Sequence, residues 1–156
     1  MKIEKDIIKY FTKNHIVLVS TLDCNARIYS SIKGLVYISE DAKAYIVDLF
    51  HNNTFRNIQK DNRISLTAVS VYHFKGYVLQ GIARCLQIED IPNLVKNKWE
   101  EHLVSRISER IIKNLQDRTV FGQPEAELPK IKYFIEVEIE NIINLAPPKE
   151  KEIERV

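Results

Sequence analysis

The 156-residue sequence predicts an α+β fold, mostly β: a six-stranded antiparallel β-barrel flanked by two or three helices. Three observations carry this. Short runs rich in β-branched residues recur between turn signals. The last run, Lys132 to Ile143, alternates Tyr133, Ile135, Val137 and Ile139 with Lys132, Glu136, Glu138 and Glu140, which marks one buried face; the alternation is imperfect at Phe134. Between the fifth and sixth runs lies one long stripe at helical spacing, too long for a turn.

The elements follow in order. Ile3, Ile7, Ile8 and Phe11 recur at helical spacing with Lys2, Glu4, Lys5, Asp6 and Lys9 between them, so a short amphipathic helix is expected over about 3–13, covering one open end of the core. His15 to Thr21 is a buried strand. Asp23-Cys24-Asn25-Ala26 is a turn, in which Asn25 can take the left-handed conformation at modest cost. A second strand runs from Arg27 to Ile38 with a bend near Gly34, and a third from Ala44 to Leu49. Asn52-Asn53-Thr54 starts a helix over about 54–60, with Asn53 able to accept from free backbone N–H groups. Arg63 to Val69 and Lys75 to Leu86 are the fourth and fifth strands, and Gly76 and Gly81 mark close backbone approaches. Asp90-Ile91-Pro92 opens the long helix, with Asp as cap and Pro in the first turn. Leu94, Val95, Trp99, Leu103, Ile107, Ile111 and Leu115 continue its stripe to about 117. Gly122, Pro124 and Pro129 break it. One domain over 1–146 and a solvated tail over 147–156 are expected, with no internal repeat.

Composition narrows the function classes. Apolar residues are 45% and charged residues 28%, which suits a globular domain. A net charge of +2 with no dense Lys/Arg block argues against a nucleic-acid surface, and Tyr72-His73-Phe74-Lys75 is the only aromatic-basic hint of one. No apolar run approaches the ~20 residues that span a bilayer, and Met1 to Lys13 lacks a signal core. The two cysteines, Cys24 and Cys85, form no metal-type or redox-type pair and read as reduced thiols, so a cytoplasmic location is expected. His51, His73 and His102 lack metal-ligand spacing, and no metal is expected. Trp99 belongs to a core or dimer contact, and Arg106, Glu109, Arg110 and Lys113 form a mixed charged helix face.

Two segments suggest a site. Asp48 to Asn57 leaves a strand, crosses a polar loop and enters a short helix, whose free N–H groups favour an anion. Asn53, Thr54 and Arg56 add donors and charge there, although an ordinary capped helix uses the same residues. In the second strand, Ser30-Ser31-Ile32-Lys33-Gly34 sets two hydroxyls and a Lys in an apolar run; either a phosphate or a ring oxygen meets Lys33, or Lys33 lies on the outer face.

Val17 to Asp23, Arg27 to Gly34, Asn53 to Ile58, Asp61 to Leu66 and Lys75 to Arg84, with the Gly81-Ile82-Ala83 element, together resemble the pyridoxamine 5′-phosphate oxidase-like, FMN-binding split-barrel family in order and spacing. The resemblance covers about 12–86, and 132–143 also fits. It implies a split barrel that works as a homodimer with flavin mononucleotide at the two-fold interface. It assigns the phosphate to Lys33, Asn53 and Thr54 with Asn57 nearby, and the isoalloxazine ring to Ser30, Ser31 and Ile32 with Val47 and Asp48 beside it. It brings Gly76 and Tyr77 near the flavin from the fifth strand, either of the same chain or across the dimer. The chain departs from the family in having Asn53-Thr54 where an Arg-Lys or Ser-Lys pair is common, and Ala26 where the first turn usually has Gly. It also lacks the Arg and His set near the C-terminus that binds the substrate phosphate in true oxidases, so pyridoxamine phosphate oxidation is not expected. The implied function is an FMN-dependent oxidoreductase of a small-molecule redox partner, with no catalytic residue assigned. The alternatives are a non-catalytic flavin carrier, or a split barrel that uses deazaflavin or haem.

Overall fold

The computed structural model describes residues 1–13, 15–48, 53–117, 131 and 133–148. Six strands, β1 (Ile16–Leu22), β2 (Ile28–Ile38), β3 (Lys43–Asp48), β4 (Arg63–Ser70), β5 (Lys75–Leu86) and β6 (Tyr133–Asn144), close into a barrel in the order β1-β2-β3-β6-β5-β4. Every pairing is antiparallel. Three α-helices accompany them: α1 (Lys5–Thr12), α2 (Asn53–Lys60) and α3 (Asn93–Asp117). The six-stranded antiparallel barrel with flanking helices is as the sequence predicts.

Cross-strand partners share a face, and register therefore defines the interior. Val19 with Leu66, Leu35 with Ile46, Ile46 with Ile135, and Ala44 with Val137 all point inward and are buried. Leu79 and Ala83 complete the core from β5. α1 plugs one end, sinking Phe11 into the core, while Tyr10 packs edge-on against Tyr77 and donates to the Lys75 carbonyl at 2.7 Å. α2 plugs the other end with Ile58 and Phe55.

A second apolar layer lies outside the barrel. Val36, Tyr45, Val47 and Phe134 project outward from β2, β3 and β6 under Ile91, Val95 and Trp99. Phe134 breaks the alternation because β6 is covered on both faces: its inward residues meet the core and Phe134 meets α3, 6.3 Å from the Trp99 ring. Among the described residues, the outer faces of β1, β4 and the first half of β2 have no such cover. Ile16, Leu18, Ile28, Ile32 and Val69 are exposed there, Ile28 by 77% and Ile32 by 74%.

Several local expectations shift. The left-handed residue of the first turn is Ala26 (φ 58°), not Asn25. Asp23 Oδ1 accepts from the N–H groups of Asn25 and Arg27 and so spends the Asx geometry at Asp23, which moves the strained position one residue on. The irregularity in β2 falls between Leu35 and Tyr37, beyond Gly34, which pairs regularly with Val47. Asp90 caps no α-helix: it ends a 3-10 turn, Ile88–Asp90, and the Pro92 carbonyl accepts the first α3 bonds from Val95 and Lys96. Leu94 falls off the buried stripe and is 50% exposed. Gly81 does mark a close approach, since a Cβ there would lie 1.9 Å from the Glu138 carbonyl oxygen. His51, Leu49, Lys132 and the segment 149–156 lie outside the described residues, as do the side chains of Ile107, Arg110, Ile111 and Leu115.

Candidate functional site

The α2 end of the barrel gathers polar groups that a strand interior rarely holds. Lys33 pairs with Val17 of β1, a core residue, so its side chain turns inward as well. The Lys33 ammonium meets Asp48 Oδ1 at 3.0 Å, with the two side chains only 4% and 1% exposed. Tyr133, opposite Asp48 on β6, donates its hydroxyl to Oδ2 at 2.7 Å. Burial and that carboxylate push the Tyr133 phenol well above its ordinary range, so it stays a donor. Lys33 is thus an interior residue committed to a buried ion pair, and the outer-face position considered from sequence is not the one it takes.

Above this pair sits α2. Thr54, fully buried, shares a hydrogen bond with Ser31 at 3.1 Å. Asn57 donates to Thr21 Oγ1 at 3.0 Å. These two bonds tie the helix to β2 and β1. Asn53 is the first helical residue, and its side-chain oxygen accepts from the Arg56 guanidinium at 2.7 Å. Ser30 faces outward and shares a 2.8 Å bond with Ser20. Cys85 lies within the same barrel end; burial pushes its thiol up to about 11, so it is neutral at physiological pH and a poor nucleophile.

A cleft of about 210 Å³ opens beside these groups, lined by Ile16, Ile32, Lys33, Gly34, Val47 and Asp48, with Arg106 reaching over from α3. Gly34 keeps Val47 close, since a Cβ would fall 3.0 Å from Val47 Cγ1. Ser30, Ser31, Ile32, Lys33, Val47, Asp48, Thr54 and Asn57 therefore gather in one region of one chain. Gly76 and Tyr77 do not join them. They lie at the opposite end of the barrel, where Gly76 accepts from Leu145 N–H and Tyr77 packs on Tyr10.

Arg106 and His15 are the residues the sequence reading did not find here. The sequence places Arg106 on a mixed charged helix face; it stands over the cleft because α3 crosses β2 and β3. His15 packs against His102 with ring centroids 4.0 Å apart and the rings tilted, a contact between positions that no local pattern connects. On the far wall, Glu136 accepts from Arg84 at 2.6 Å and from Tyr45 at 2.8 Å. Burial and the Glu136 carboxylate push the Tyr45 phenol up to about 12, so this cluster serves as a fixed structural clasp between β3, β5 and β6. Among the described residues no group of acidic, His or Cys side chains is placed to hold a metal, and no helix is long and apolar enough to cross a membrane.

The architecture has solved counterparts. HupZ of Group A Streptococcus is 19% identical, with a TM-score of 0.63 over 92% of this chain and 94% of that one. A candidate pyridoxamine 5′-phosphate oxidase of Lactobacillus delbrueckii is 14% identical, with a TM-score of 0.60 over 91% of this chain and 93% of its own. A Clostridium acetobutylicum protein related to general stress protein 26 of B. subtilis, of the pyridoxinephosphate oxidase family, is 15% identical, with a TM-score of 0.56 over 97% and 99%. No family model and no curated protein matches the chain. At these identities the likeness establishes the fold.

Proposed function

We propose that this split barrel of the pyridoxamine 5′-phosphate oxidase-like type binds flavin mononucleotide as a homodimer and acts as a flavin-dependent oxidoreductase on a small molecule. The observation that carries the reading is a juxtaposition. Hydroxyl and amide groups of Ser30, Ser31, Thr54 and Asn57 cluster where α2 meets β2, directly beside an uncovered apolar sheet face. A planar ring with a phosphate tail needs both kinds of surface.

The donor set fits such a group. Ser31 and Thr54 have hydroxyls that rotate to suit a phosphate oxygen, and Asn53 and Arg56 add an amide and a positive charge at the first turn of α2. Lys33 keeps two N–H bonds beyond the one aimed at Asp48 and lines the cleft. Asp48 and Tyr133 hold that ammonium in place. The apolar side chains of Ile16 and Ile32 would exclude water from one side of the ring. The flavin, when bound, supplies hydride or electron transfer, and the chain supplies binding, orientation and electrostatics. Gly76 and Tyr77 enter such a site only from a second copy, because in their own chain they lie at the other end of the barrel.

The test is an absorption spectrum after incubation with FMN and desalting. Flavin bands should survive in the wild-type protein. The Ser31→Ala, Thr54→Val double variant should lose roughly tenfold in FMN affinity, about the effect of one charge-assisted hydrogen bond. Flavin that washes out of the wild-type protein overturns the proposal.

A further inference from the structure

The outer part of α3 is held to the barrel by a contact unlike the rest of its interface. Nearer its start, Val95 and Trp99 pack on Val36, Tyr45, Val47 and Phe134. One turn beyond Trp99, that apolar seam gives way to a tilted contact of two titratable rings, His102 against His15, with centroids 4.0 Å apart and planes 52° apart. His15 sits between α1 and β1 in a left-handed conformation, φ 52°. Its carbonyl accepts from Leu35 N–H at 2.9 Å, which fixes the residue against β2. His15 Nδ1 is buried and has no hydrogen-bond partner among the described residues. A neutral ring tolerates this, with its proton on Nε2. An imidazolium places an N–H at that buried atom with nothing to receive it.

The surroundings disfavour the charged form further. The cleft beside the two rings, about 630 Å³, is lined by Lys13, Arg106, Glu109 and Lys113 as well. Among the described residues, none of Lys13, Arg106 and Lys113 is in an ion pair. Burial and then Arg106 lower His15, against an opposing pull from Glu109. Burial, then His15 and Arg106, lower His102, with Lys98 in the same direction and Glu101 against it. A proton on one ring also opposes a proton on the other.

We propose that His15 and His102 form a pH-sensitive clasp that holds the outer part of α3 on the barrel when both rings are neutral and releases it when they are protonated. The sign follows from linkage. Both rings titrate lower docked than free, so the contact keeps its full strength above the ordinary histidine value of 6.5 and weakens as pH falls below it. Release carries Arg106 away from the cleft over Lys33 and Asp48, because Arg106 lies one helical turn past His102 and lines both clefts. The clasp therefore makes the composition of the candidate site depend on pH. This holds whatever ligand that site takes.

The single tryptophan is the reporter, since Trp99 lies on α3 against Phe134 and three residues before His102. Its emission would be followed in the full chain from about pH 7.5 down to about pH 5, with far-UV circular dichroism alongside. The histidine C2 protons would be followed by NMR over the same range. The expected result is a shift in Trp99 emission at constant far-UV signal, coincident with two histidine midpoints below 6.5. The emission shift should vanish in His102→Gln. Ordinary midpoints for all histidines, a flat emission curve, or a change that coincides with global unfolding would each overturn the clasp. The wild-type NMR titration decides the matter even if His102→Gln fails to fold.

Discussion

Lys33 and Asp48 form a pair whose partners are only 4% and 1% exposed, so removal of the ammonium strands a carboxylate inside the barrel. Lys33→Met should cost about 3–5 kcal/mol in urea unfolding. Adding Asp48→Asn should restore part of that loss, because the amide oxygen still accepts from Tyr133 and no charge remains. Gly81→Ala meets a harder obstacle. Its Cβ would lie 1.9 Å from a backbone carbonyl of β6, which no rotamer change can move. The strand must shift, and thermal unfolding should show a loss of more than about 3 kcal/mol. Residues of this kind are unequally legible from sequence. Lys33 stands out as a charge in an apolar run, and Gly81 as a glycine within a strand. The partners, Asp48 and Glu138, do not stand out, because register between distant segments chooses them. Ala26 is a sharper case. Asn25 is the better left-handed residue intrinsically, yet Asp23 bonds both Asn25 N–H and Arg27 N–H and so assigns the strained position to Ala26.

Elements were read more securely than their ends. β5 falls on Lys75–Leu86; β2 and β4 differ from the sequence expectation by one residue at one end, and β1, β3 and β6 by one residue at both ends. Short β-branched runs between turn residues, and the alternation in β6, are local signals. The start of α3 is ambiguous in sequence because Asp90 and Pro92 both carry helix-start chemistry, and a 3-10 turn uses the first while α3 uses the carbonyl of the second. Phe134 departs from the β6 pattern because α3 lies over it. α2 offers a direct test at this scale. It has eight residues and is too short to stand alone, so its docking depends on Asn57, Thr54 and Ile58. Asn57→Ala removes the donor to Thr21 and should cost about 1–2 kcal/mol, with faster hydrogen exchange confined to α2 and the adjoining end of β1.

For the whole molecule, the face of β1, β4 and the first half of β2, bare among the described residues, is the feature that sequence could hint at but not locate. Leu18 and Ile32 are cross-strand partners on that face, 41% and 74% exposed. A second copy laid against it would cover both, which is the isologous arrangement proposed above. Leu18→Asp with Ile32→Asp should leave the barrel folded and shift the protein to monomer in sedimentation analysis; FMN retention should fall with it. The strand order has another consequence. β6 completes the barrel between β3 and β5, although all of α3 is made before it. Throughout synthesis until that point, β3 and β5 each present a bare edge of unpaired N–H and C=O groups. Closure must wait for a distant segment, so the chain belongs with slow, high-contact-order folders. A nascent chain stalled after α3 is an open sheet with two sticky margins, the species that a ribosome-bound chaperone has most reason to shield.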